Sequence, residues 1–184
     1  KHPNWKMGKK ITVDSSTMMN KLFEVIEAKK IFNIPYKKIS ILTHPDSYVH
    51  AIIKFKNGTI KVLLHEPDMK IPINYALNWP MRTKTSFSNI CLEKVKELSF
   101  FNANLKTFPS LTLFKYLNDS NLNYSKLISL NASNEVAVNC FLGKRIDFLD
   151  IVKIIKKTLS NFKQSNPKNI SDVFDIHEEA SNIS

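Results

Sequence analysis

The sequence predicts an α+β fold, in which a mixed or antiparallel sheet with packed helices is followed by a C-terminal helical bundle. Three observations lead there. Runs rich in β-branched and aromatic residues cluster at 39–42, 48–55 and 59–64. The last two are separated by Asn57-Gly58, a dipeptide that supplies the positive φ angles of a two-residue hairpin turn. Beyond Pro109 the apolar residues recur at three- and four-residue intervals, as in Phe148, Ile151, Ile154, Ile155 and Leu159.

In chain order, residues 1–10 carry Pro3, Gly8 and a dense set of lysines with no helical or strand period, and read as a loop. Residues 11–13 form a short apolar run that reads as a strand. It stops at Asp14-Ser15-Ser16-Thr17, side chains suited to capping a helix that begins near Thr17. Met18, Leu22, Val25, Ile26 and Phe32 then fall on one helical face, and Pro35 lies just beyond. After the hairpin a helix begins around Pro72 and ends before Trp79-Pro80. Residues 80–108 read as a connector in which only 98–101 is strand-like. Helices follow at about 109–118, 130–142, 147–162 and 170–181. The organisation expected is an α/β domain over 1–78 that opens on the loop 1–10, a connector over 79–108 and a helical domain over 109–184.

Composition narrows the function classes. No apolar stretch approaches the roughly 18 residues of a membrane span, and the first residues lack a signal-peptide pattern. Neither membrane nor secretion is therefore expected. Cys91 and Cys140 lack metal-type spacing and read as free thiols in a reducing compartment. The net charge of +11 raises nucleic acid as a partner, but the lysines are dispersed and are not interleaved with aromatics for base stacking. A solvated lysine coat is the favoured reading.

Candidate chemistry concentrates between Asp14 and Glu24. If Ser15 and Ser16 open a helix, they present hydroxyls beside unsatisfied amides at the favourable end of the macrodipole, an arrangement suited to phosphate. Asn20 and Lys21 add a donor and a full charge, and Glu24 follows at helical spacing, where its carboxylate can ligate a divalent cation. The competing reading is an ordinary serine cap and a surface Lys21–Glu24 pair. His2, Trp5 and Met7 precede this turn on a loop able to close over a ligand, or Trp5 simply anchors that loop. His44, His50 and His65 lack the companions of a zinc site, and Met69 alone reads as core filler. With three glycines in the chain, no dinucleotide-binding glycine fingerprint is present.

Long motifs then carry a resemblance. The run from His2 through Trp5, Met7, Gly8, Asp14-Ser15-Ser16-Thr17-Met18-Met19 and Asn20-Lys21, followed in order by His44-Pro45, Ser47, His50, Glu66-Pro67-Asp68-Met69, Trp79-Pro80 and Leu130-Asn131-Ala132-Ser133-Asn134-Glu135, resembles the 1-deoxy-D-xylulose 5-phosphate reductoisomerase family over nearly the whole chain. The resemblance implies a homodimeric enzyme that rearranges a sugar phosphate and reduces it with NADPH, assisted by Mg2+ or Mn2+, in the bacterial cytoplasm or, in a eukaryote, a plastid. It implies that His2, Ser15, Asn20, Lys21 and Met7 bind substrate, that Glu24 ligates the metal, and that Glu24, Trp5 and His50 are catalytic. Gly8 and Met69 would lie against the cofactor. Where the family usually has Gly and then Leu after the Asn-Lys pair, this chain has Leu22-Phe23. The family's other metal carboxylates and its nucleotide-binding domain would lie upstream of Lys1, so the chain alone is expected to be inactive. The alternatives are a catalytically silent homologue kept for dimerisation and, more remotely, a basic nucleic-acid-binding module.

Overall fold

The computed structural model describes residues 7–84, 86, 90–117, 123–162 and 166–184. The chain divides into two compact units. One combines Met7–Ser40 with Asn104–Ser184, and the other contains Ile41–Ala103. The α+β class is as predicted, but the grouping of 1–78 into one domain is not how the chain packs. The first two helices bury their apolar faces in the same core as the C-terminal helices, so the middle of the sequence forms its own unit.

In the first unit, α1 (Lys9–Ser16) and α2 (Met19–Phe32) are joined by Thr17 and a left-handed Met18 at φ 63°. The expected loop and strand over 9–13 are helix instead. The β-branched run Ile11-Thr12-Val13 misleads because the local preference is weak. Helix here is reinforced by Thr12 Oγ1 donating to the Gly8 carbonyl at 2.8 Å and by an Asp14–Lys10 ion pair one turn apart at 2.8 Å. Val13 then joins Met19 and Leu22 in the main core.

That core is completed by a turn of 3-10 helix at Pro109–Leu113, α4 (Phe114–Leu117), α5 (Tyr124–Leu142) and α6 (Asp150–Asn161). Helix α5 is central and packs on both α6 and α7 (Ile170–Ile183). It starts six residues before the expected position, capped by the Asn123 side chain, which accepts from the Lys126 amide. On α6 Ile151, Ile155 and Leu159 of the predicted stripe are buried, with Val152 beside them, whereas Phe148 precedes the helix and is exposed; Ile176 and Ala180 of α7 meet Ala132 and Phe162 in a second cluster.

In the second unit, β2 (Val49–Lys54) and β3 (Ile60–Leu64) form the predicted antiparallel hairpin, with an irregularity between Val49 and Ala51. The turn differs from expectation. Of its residues only Gly58 has positive φ, at 88°, and Phe55 pairs with Thr59, so the loop holds three residues with glycine in the left-handed position. A shorter pairing joins β1 (Leu42–Thr43) to β4 (Phe101–Asn102), and α3 (Lys70–Asn78) ends before Trp79 as predicted. No helix among the described residues is long and apolar enough to cross a membrane. Cys91 and Cys140 are free thiols.

Candidate functional site

The helix–turn–helix of α1 and α2 positions the chemistry-bearing residues. Because α1 ends at Ser16, Ser15 and Ser16 sit in its last turn and do not cap the helix that follows. This corrects the strand-to-helix turn expected from the sequence. Ser16 Oγ donates to the Thr12 carbonyl at 2.8 Å, back along its own helix. The hydroxyl nearest to a capping role belongs to Thr17, which accepts from the Met19 amide at 3.4 Å.

One turn into α2 the expected trio comes together. Asn20 Nδ2 donates to Glu24 Oε1 at 2.8 Å, and Lys21 Nζ lies 2.6 Å from Glu24 Oε2. The Lys21 and Glu24 side chains are 40% and 44% exposed, so the pair faces solvent and both groups remain accessible. An exposed pair of this kind contributes only about 0.2–1 kcal/mol, so an incoming anion and cation can separate its partners at little cost. Beneath it, Leu22 is fully buried and Phe23 packs against the same core. The Leu22-Phe23 departure therefore fills the interior while Glu24 keeps its place on the outer face.

The other expected residues are distributed as follows. His2 and Trp5 lie outside the described residues. Met7 is half-buried, and Gly8 is exposed at the start of α1, its carbonyl accepting from the Thr12 amide at 3.1 Å. His50 and Met69 belong to the second unit. His50 stacks on His65 with ring centroids 3.7 Å apart, and its Nε2 donates to the His65 carbonyl at 3.2 Å. Met69 is exposed at the start of α3. His44 donates from Nδ1 to the Ser99 carbonyl at 3.0 Å, the structural role its isolation suggested.

For a divalent cation the described residues are insufficient. They contain no cluster of three or more His, Cys, Asp or Glu able to hold a metal, so a cation at Glu24 would need further ligands.

Two residues stand beneath the turn, Asp14, which the sequence offered only as part of a helix cap, and Asn134, to which it gave no role. Asp14 is buried, and its carboxylate accepts from Asn134 Nδ2 of α5 at 2.9 Å. The signal available was Asn134 itself, a large polar side chain on a buried helical face otherwise made of serine, alanine, leucine and valine, in a motif quoted for resemblance alone.

Comparison with known proteins decides the family. Residues 64–183 match the model of the DXP reductoisomerase C-terminal domain. The chain belongs to that family. Residues 1–32 match a second model, the 1-deoxy-D-xylulose 5-phosphate reductoisomerase C-terminal domain. Relatives include the 1-deoxy-D-xylulose 5-phosphate reductoisomerases of Zymomonas mobilis, 41% identical over 97% of this chain and 46% of the relative, and of the Wolbachia of Brugia malayi, 46% identical over the same shares. The Zymomonas mobilis enzyme solved in complex with NADPH superposes with a TM-score of 0.88 at 40% identity, covering 95% of this chain and 46% of the other. A DOX-P reductoisomerase in complex with NADPH, fosmidomycin and magnesium superposes at 0.91 with 33% identity, over 100% of this chain and 47% of the other. The chain thus spans about half the length of the relatives it matches.

Proposed function

We propose that this chain is the phosphate-gripping and helical portion of a metal- and NADPH-dependent reductoisomerase that converts 1-deoxy-D-xylulose 5-phosphate to 2-C-methyl-D-erythritol 4-phosphate for isoprenoid precursor synthesis, acting as a cytoplasmic homodimer. The observation that carries this reading is the grouping of Asn20, Lys21 and Glu24 on the exposed first turns of α2, in a chain that matches its family almost end to end. Asn20 and Lys21 hold the substrate phosphate, with Ser15 adding a hydroxyl. Glu24 would release Lys21 to that phosphate and be one ligand of a Mg2+ or Mn2+ ion, whose other ligands would come from outside the described residues. When bound, such an ion polarises the oxygens of the sugar it chelates. His2, Trp5 and Met7 serve the substrate, His50 assists catalysis, and Gly8 and Met69 serve the cofactor. The arrangement favours a small phosphorylated sugar over nucleic acid, because the functional cations are few and local.

The test joins this chain to the upstream half of the Zymomonas mobilis relative and follows NADPH oxidation with 1-deoxy-D-xylulose 5-phosphate, with and without Mg2+ or Mn2+. Metal-dependent turnover by the joined protein, and none by residues 1–184 alone, is the expected result. A joined protein that folds, binds NADPH and fails to turn over refutes the proposal in favour of a catalytically silent homologue.

A further inference from the structure

Among the described residues Asp14 is the charged side chain placed in the buried class, at 3% exposure, and both of its oxygens are engaged. Oδ2 accepts from Lys10 Nζ at 2.8 Å, one turn back along α1. Oδ1 accepts from Nδ2 of Asn134, which is fully buried in α5 and 120 residues away in sequence. The Asn134 Oδ1 has no partner. Rotating that amide by half a turn would set its oxygen against a carboxylate, so the donating orientation is the one the site selects.

Three positions further on, the chain is gripped again. The Ser110 hydroxyl, fully buried in the 3-10 turn before α4, donates to the Thr17 carbonyl, and Thr17 Oγ1 donates to the Val13 carbonyl at 3.0 Å. Ser15 therefore lies between two residues tied to the C-terminal segment, and α2 starts one residue beyond the second, after Met18. Apolar packing by Val13 alone would hold α1 on the core but leave its rotation about its own axis weakly specified. A carboxylate with one directed bond along its helix and another across to α5 fixes that rotation, a use of buried polar groups for register more than for stability.

We propose that Asp14 and Asn134 are positioning residues: their buried bond sets the rotation of α1, and through it the placement of Ser15 and of the first turn of α2, so that the C-terminal helices tune phosphate affinity without touching the substrate. This rests on the function proposed above. It adds that substrate binding is controlled from a point in α5.

The experiment uses the joined enzyme for kinetics and the chain itself for amide hydrogen exchange. Asn134→Leu keeps the branching at Cγ, at a larger volume, and removes the donor. It is expected to raise KM for the sugar phosphate about tenfold with a smaller change in kcat, to leave KM for NADPH unchanged, and to speed exchange at the amides of residues 15–21. Asp14→Asn combined with Asn134→Asp rebuilds the bond with donor and acceptor exchanged, and is expected to bring KM back to within about threefold of the original. Should Asn134→Leu fail to fold, Asp14→Asn alone, which preserves shape, carries the same expectation. A lowered melting temperature with unchanged KM would make the pair merely structural and overturn the inference. So would unchanged exchange at residues 15–21, or a double variant that recovers exchange protection but not KM, since the last would mean that the Asp14 charge itself serves the site. Absence of turnover in the unmodified joined enzyme refutes the proposed function, and the inference falls with it.

Discussion

Replacing Leu22 by glycine separates the packing under α2 from the polar groups on its outer face. Leu22 is fully buried and packs in the cluster that includes Val13, Met19, Leu113 and Leu130. Truncating a buried leucine to alanine costs about 2–5 kcal/mol, according to how far the surroundings collapse. The further step to glycine inside a helix adds about 1 kcal/mol, and the Leu22 amide does lie within the helical bonding, donating to the Met18 carbonyl at 3.0 Å. The sum is about 3–6 kcal/mol, a large share of the roughly 5–15 kcal/mol that holds an ordinary domain. Urea unfolding followed by the helical circular dichroism signal reads the first unit, which contains α5, α6 and α7. With a urea slope of about 1–3 kcal/mol per molar, the midpoint should fall by about 2 M. A loss under about 1 kcal/mol would refute the reasoning, because it would mean that Phe23 or Ile26 moves into the vacated space and that Leu22 is not an independent support of the helix.

Glu24→Gln should change unfolding free energy by less than about 1 kcal/mol, since it removes an exposed ion pair, yet lower turnover of the joined enzyme at least tenfold, in the range of about 10–100-fold seen when metal-site groups are lost; unchanged turnover would remove Glu24 from the site. Gly58→Val forces a β-branched residue to a φ of 88° and should destabilise the hairpin by about 1–2 kcal/mol, read as an earlier thermal loss of the β2 and β3 amide resonances. The Asp172 carboxylate is held below its ordinary 3.8 chiefly by the Lys168 backbone amide, which donates to it at 2.7 Å. Its contribution is therefore complete above the ordinary value and lost as pH falls through the lowered folded one. Circular dichroism in acid should show that part of the helix loss disappearing in Asp172→Asn, while Asn169→Ala, which removes the cap to the Asp172 amide, costs about 1 kcal/mol at any pH.

The sequence revealed elements wherever one period dominated and nothing distant competed. The β2–β3 hairpin was legible from alternation and Asn57-Gly58, but its loop length was not, because that depends on the backbone angle of Asn57 as well as that of Gly58. The start of α5 was missed because its first two turns bury Ser125 and Ser129, which an apolar count does not register. Helix α1 was misread for the opposite reason. Its β-branched run obeys a local preference that the core and several bonds to carbonyls one turn back outweigh. Within the site, Asn20, Lys21 and Glu24 were legible because their relation is local to one helix. The Asp14–Asn134 bond was not, since no pattern in a single sequence pairs residues that far apart.

The corrected turn changes the electrostatic account of how a phosphate would be held. Serines in the last turn of α1 stand at the negative end of that helix, where an anion is disfavoured by about 0.3–1 kcal/mol, while Asn20 and Lys21 stand at the positive end of α2. The two ends do not simply cancel. The Val13 carbonyl accepts from both the amide and the hydroxyl of Thr17, the Ser15 carbonyl accepts from the Met18 amide, and the Thr17 carbonyl accepts from Ser110. Much of the negative end of α1 is thereby quenched by donors before any ligand arrives. In α2 the Met19 amide faces the Thr17 hydroxyl and the Leu22 amide is committed to Met18, while the amides of Asn20 and Lys21 belong to a first turn that has no acceptor within the helix. Under the proposed function, anion affinity on this surface would derive from α2, with Ser15 offering a hydroxyl and not a cap. The buried contacts from Ser110 and Asn134 matter because the first satisfies the Thr17 carbonyl at the end of α1 and the second holds the Asp14 carboxylate against α5.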